Sequence, residues 1–272
     1  MFMTDRRRND HASLFAAGSV GLAVLALVVT IVVATRSGSN APASAVGNEI
    51  SDPIDLDDGA VADPDVDPVA LMQRSATAMA VVSSVEFRLR RDGAPVFIDQ
   101  FDEIALDSLR GQFTVPTSAQ AELTVTIDDN LTTKIGAVAI DREVWISNPV
   151  TGDFETLPAG YDIDPSRFFD PEDGWQPLIA NLRDIELVEI DDRGGDRYHV
   201  RGIAGADDVR DITVDLVRDQ DVSIDFWIHP TTALVTAAEF TTTIGGADAQ
   251  WFLELDSYGD RFTIEPPENV RD

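Results

Sequence analysis

The sequence predicts an α+β domain built mainly from antiparallel strands, set behind a long apolar segment. Three observations carry this reading. From Val85 onward, apolar residues recur mostly at period two, as a half-buried antiparallel strand requires. Helical spacing is confined to one stretch before the strands and one or two short stretches in the middle. From Ala12 to Thr35 there is no charged residue at all.

That segment comes first in the chain. A helix of 24 residues at about 1.5 Å each spans about 36 Å, enough for a hydrocarbon core of about 30 Å. A cleavable signal has an apolar region of only about 7–15 residues. Arg6, Arg7 and Arg8 precede the run and only Arg36 closely follows it, which keeps residues 1–11 in the cytoplasm and sends the rest out. The expectation is a single-pass signal-anchor at the cell membrane over residues 12–35. Small residues ending at Ala34 and Ala45 offer cleavage as the alternative, which would make the protein secreted. Residues 36–67 are rich in Ser, Ala, Gly, Pro and Asp and hold no aromatic residue, so they read as a disordered, self-repelling acidic linker. Counted from Asp55, "DLDDG" puts glycine fifth and Val66 twelfth, which fails the EF-hand calcium pattern.

The globular domain is expected over 68–272. Asp67-Pro68 reads as a helix cap followed by proline at the first helical position. Val69, Met72, Ala76, Met79 and Ala80 continue at helical spacing to about Val82. Strands are expected around Val85–Leu89, at Val96–Leu106, in "AELTVTID" (121–128), "KIGAVAI" (134–140), "REVWIS" (142–147) and "FETLP" (154–158). The stretch 164–184 reads as helical, with Pro165 and Pro171 at helix starts. Strands resume in "IELVEID", "DRYHVRGI", "VSIDFWIH", "LVTAAEFTTTI" and "AQWFLELDSYG", with a short helix in "ADDVRDI". The count is about ten to eleven strands.

Composition excludes several functions. The chain holds 49 acidic and 20 basic residues, a net charge of -29, and Lys134 is its single lysine. Phosphate backbones are repelled by such a chain, which argues against nucleic acid as a partner. There is no cysteine, hence no disulfide, no zinc–cysteine site and no thiol catalysis. His11, His199 and His229 pair with no nucleophile motif. Asp170, Glu172 and Asp173 beside Trp175 read as a helix start rather than a glycosidase pair. No enzyme, metal site or cofactor is expected.

The order of elements resembles a known family. "LMQRSATAMAVVSSVEFRLR" runs a helix into a first strand, and "VWISNPVTGDFETLP" is a strand and turn. "YDIDPSRFFDPEDGWQPLIANLRDIELV" is a proline-marked helical stretch leading into a strand. "SIDFWIHPTTALVTAAEF" and the terminal "LELDSYGDRFTIEPPEN" are the most telling parts. Together these resemble the LppX/LprG-type lipoproteins of mycobacteria and related bacteria, and more distantly the LolA/LolB lipoprotein carriers. The resemblance implies a half-barrel, a curved antiparallel sheet with helices over its concave face, enclosing an apolar cavity. It implies binding and transfer of lipid or glycolipid in the cell envelope without catalysis. The family's lipid-bearing cysteine is absent: Thr35, Arg36 and Ser37 stand at that place, so a retained helix would replace the acyl anchor.

A sheet with one strongly apolar face and few helices must bury that face against helices or ligand. The inward, cavity-lining candidates are Phe87, Leu89, Leu123, Val125, Ile127, Val138, Ile140, Val144, Ile146, Ile224, Phe226, Ile228, Leu253 and Leu255. Lid or mouth candidates are Phe168, Phe169, Trp175 and Ile179. Ordinary core packing explains each of these positions equally well. A protein partner, through which such a domain would act as a sensor or regulator, is the alternative expectation to a lipid ligand.

Overall fold

The computed structural model describes residues 53–97, 102–115, 118–128, 130–141, 143–156, 175–192, 195–213, 217 and 219–271. The expected membrane segment lies outside them, as do Phe168, Phe169 and both helix-start prolines. Among the described residues no helix is long and apolar enough to cross a membrane.

Helix α1 (Pro68–Met79) begins as its sequence demands, with the Asp67 carboxylate accepting from the Val69 amide. Its buried stripe is Leu71, Met72, Ser75, Ala76 and Met79. Val69, expected on that stripe, is instead exposed (46%). Six strands then follow as a meander: β1 (Ser84–Gly93), β2 (Ile104–Thr114), β3 (Ser118–Ile127), β4 (Leu131–Ile140), β5 (Glu143–Ser147) and β6 (Phe154–Thr156). Helix α2 (Trp175–Ala180) leads into a second meander of β7 (Arg183–Asp191), β8 (Arg197–Ala204), β9 (Val222–Ile228), β10 (Val235–Ile244) and β11 (Ala247–Asp256), with α3 (Ala206–Thr213) between β8 and β9. β11 pairs with β1 and joins the two meanders. A final β12 (Val270–Arg271) adds to β6 in parallel, completing a curved, open sheet of 12 strands.

Register assigns every side chain to one of two faces. Leu89 stands opposite both Leu253 and Leu109, and Leu109 opposite Leu123, so these four share the apolar face. Phe226 opposite Ala238 and Val200, and Ala238 opposite Leu253, extend that face to β8. Arg88 opposite Arg110 and Glu254, and Glu122 opposite Gly136, fall on the other face. Helices α1 and α2 pack on the apolar face, where Leu71, Ile179, Val200, Phe226 and Ile228 meet in one cluster. A second cluster under β2–β5 holds Leu106, Leu123, Val125, Ile135 and Val144. Phe87 and Leu89 touch both clusters, so β1 is the seam between them. At that seam a Cβ on Gly111 would lie 2.5 Å from the Phe87 ring; glycine leaves the space that the ring fills.

Three expectations are corrected. The strand expected at Val96–Leu106 is shifted to Ile104–Thr114, with Phe97 contributing only an isolated bridge to Ala105. A bulge at Asp107 puts Leu106 and Leu109 on one face although they are three apart, which breaks the period-two signal. In β4 the phase is inverted. Ile135, Ala137 and Ala139 face the core, opposite Leu123, Ala121 and Ala119. Val138 and Ile140 are half-buried on the polar face, opposite Gln120 and Ser118. Size misled the reading: alanine marks the core wherever the facing strand leaves little room. Finally, residues 53–66, expected to be free linker, lie against the domain. Ala62 is buried and Ile54, Leu56 and Val66 pack against the main cluster.

Candidate functional site

The apolar face is the candidate site. Of the positions expected to point inward, Leu123, Val125, Val144, Ile146, Ile224, Phe226, Ile228, Leu253 and Leu255 are buried on it. Phe87, Leu89 and Ile127 are half-buried there. Val138 and Ile140 are the two that fall on the wrong face. Most of these side chains pack against one another in the two clusters.

Space remains under α2 and α3. A cavity of about 110 Å³ is lined by Trp175 and Leu178 of α2, Val209 of α3, and Val222, Ile224, Phe226, Ala238, Phe240, Thr242 and Leu253 of the sheet. Among the described lining residues the hydroxyl of Thr242 accepts from the Trp251 indole at 2.9 Å. A wall that is mostly aliphatic and aromatic favours an apolar occupant. The volume equals that of about three or four waters at about 30 Å³ each, so as it stands it fits a chain end rather than a whole acyl chain. Trp175, Ile224, Phe226 and Leu253 were legible as candidates. Leu178, Val209, Ala238 and Phe240 were not singled out, although Leu178 follows Trp175 at helical spacing and Ala238-x-Phe240-x-Thr242 alternates.

Two residues from the most telling sequence stretches hold the frame. Tyr258 is fully buried and its hydroxyl donates to the Val235 carbonyl at 2.5 Å, which ties the chain after β11 to the start of β10. Burial pushes this phenol well above its ordinary range, so it stays a neutral donor. In "FWIH", Phe226 and Ile228 face the core while Trp227 turns to the polar face, where it stacks on His199 at 4.6 Å and donates to Asp191.

The polar face carries a wide open trough of about 970 Å³ running from Trp227 to Lys134. Most of its charges have a partner of opposite sign. Arg88 meets Glu86 at 3.1 Å and Asp256 at 2.9 Å; Glu122 meets Lys134 at 2.7 Å and Arg110 at 3.1 Å. The hydrogen bond from Lys134, with Arg110 nearby, holds the Glu122 carboxyl below its usual range. His199 places Nε2 2.7 Å from Asp225, which Arg201 also reaches at 2.9 Å. No residue here pairs a nucleophile with a base, and no group of histidines and carboxylates among the described residues is arranged to hold a metal.

A curved, open antiparallel sheet with few helices defines the structural class, and solved members of that class exist. LprF from Mycobacterium bovis matches with a TM-score of 0.58 at 16% identity, over 76% of this chain and 99% of that one. The Mycobacterium tuberculosis lipoprotein LppX matches with a TM-score of 0.51 at 14% identity, over 72% and 97%. No curated protein matches the chain by sequence. The LppX_LprAFG lipoprotein model matches residues 67–264, and the chain belongs to that family.

Proposed function

We propose that the chain is a membrane-held, extracytoplasmic lipid carrier that takes acyl chains of a lipid or glycolipid beneath α2. The observation that carries this reading is the apolar cavity between α2, α3 and strands β9–β11. Family membership supports a carrier without catalysis, and the uncharged run from Ala12 to Thr35 supports attachment by a retained helix.

Entry of a longer chain requires α2 to move. This helix has six residues and is held by two buried side chains, Leu178 and Ile179. Exposing each costs about 1.5–3 kcal/mol, and each buried methylene returns about 0.8 kcal/mol. Some four to eight methylenes therefore offset the opening, fewer than an ordinary acyl chain contains. The polar head would stay outside, since the described lining is almost wholly apolar.

The test is native mass spectrometry with lipid extraction on the full chain purified in mild detergent. A stoichiometric lipid adduct, lost on filling the cavity by Ala238→Leu, is expected. A ligand-free chain that takes up no added lipid overturns the reading.

A further inference from the structure

Residues 53–66 are fastened to the domain by named bonds. The Ile54 amide donates to the Tyr258 carbonyl at 2.9 Å, and Arg197 donates to the Leu56 carbonyl at 2.8 Å. The Ala62 amide donates to Asp196 at 3.0 Å and the Asp63 amide to the Tyr198 hydroxyl at 2.7 Å. Beneath this segment sits His229, with no exposed surface.

The surroundings of His229 define its protonation. Nδ1 accepts from the Thr232 amide at 3.2 Å, with the Thr232 hydroxyl at 3.1 Å, so the ring's one proton is on Nε2. Nε2 makes no hydrogen bond and faces Asp58 Oδ1, from the fastened segment, at 3.4 Å. Arg197 of β8 acts on the ring through its charge and reaches Asp57 at 4.0 Å. A second proton would have to go onto Nδ1. It would set a donor against the Thr232 amide, inside the tight turn where Ala233 is already left-handed (φ 58).

We propose that residues 53–66 are an acid-released strap, locked while His229 is neutral, which sets the free chain between domain and membrane anchor. Burial first, then the Arg197 charge, lowers the affinity of His229 for a second proton; Asp58 opposes them and does not win. The sign follows. A released strap leaves His229 in water with its ordinary pKa of about 6.5, so the released state takes up the proton first. Docking is fully favoured above that value and weakens as pH falls below it. The effect on reach rests on the anchored reading above. Release adds residues 53–66 to the chain that precedes the domain. At about 3.5 Å per residue this lengthens the extended limit of that chain by about 50 Å.

Hydrogen exchange on the full chain in detergent, corrected for intrinsic rates, tests the strap without lipid ligand or membrane. Between pH 7.5 and 5.5 the Ala62 and Asp63 amides should lose protection by several-fold, up to the limit of about tenfold that one titrating group allows, while β3 amides keep theirs. His229→Asn, which keeps an uncharged acceptor for Thr232, should remove that step. An absent step, or one that survives in H229N, overturns the proposal. Should H229N fail to fold, the titration midpoint of His229 in the unaltered chain decides: a midpoint at or above about 6.5 overturns it. Failure here leaves the lipid reading untouched.

Discussion

Along β3, Leu123 and Val125 are sealed from water, while Glu122 and Thr124 between them line an open trough. The same contrast runs across β1–β4, β10 and β11, whereas at β8 and β9 His199 and Trp227 are buried on the polar face as well. On one face side chains pack into two clusters under short helices. On the other, most charges pair with their neighbours and remain wet. The difference separates stability from solubility. A buried large side chain contributes about 1.5–3 kcal/mol, whereas an exposed ion pair contributes about 0–1. The apolar face therefore holds the fold together, and the polar face can change at little cost.

The sharpest way to break that contrast is Phe226→Ala. The side chain is 1% exposed and contacts the cavity, so unfolding in urea should show a loss of about 3–5 kcal/mol. Gly111→Ala comes next. The added methyl meets both the Phe87 ring and the Gln120 carbonyl at 2.5 Å, and overpacking of this kind costs about 1–3 kcal/mol. Pairing it with Phe87→Leu should recover part of the loss by vacating the ring's place. Tyr258→Phe leaves the Val235 carbonyl without its donor and should cost about 1–2 kcal/mol in the same assay. Smallest is Glu122→Gln on the polar face, expected within about 1 kcal/mol because both cations remain solvated. Its carboxyl lies below the usual range, so its small contribution is present at neutral pH and fades as pH falls through the carboxylate range. A loss at Glu122 as large as that at Phe226 would refute the division between the faces.

The sequence showed the apolar face best where alternation was clean and side chains large. β3, β9 and β11 read correctly because each sets aliphatic or aromatic residues against polar ones. Helix α1 was legible from Asp67-Pro68, whose cap forms as expected. The phase of β4 was not legible, because Val138 and Ile140 outweigh Ala137 and Ala139 on any scale of size. Only the facing strand decides, and Ala119 and Ala121 opposite them select the small pair. The β2 bulge hid for a similar reason: one extra residue at Asp107 resets the alternation midway. The strap escaped notice since Ile54, Leu56, Ala62 and Val66 are scattered among aspartates and glycine. The partners of Ile54, Leu56 and Ala62, which are Tyr258, Arg197 and Asp196, lie more than a hundred residues away. The cavity was half legible, since the strand residues lining it could be assigned to a face but the helix covering them could not be positioned.

The central claim is that ligand enters on the helix-covered apolar face and nowhere else. Photo-crosslinking with a diazirine-bearing fatty acid, mapped by peptide mass spectrometry on the full chain, tests it directly. The account predicts label on peptides containing Trp175, Leu178, Phe226 and Phe240, displaced by unlabelled lipid and absent in Ala238→Leu. Label concentrated on Arg88, Arg110, Lys134 or Glu254 in the trough, or label that unlabelled lipid does not displace, would contradict it.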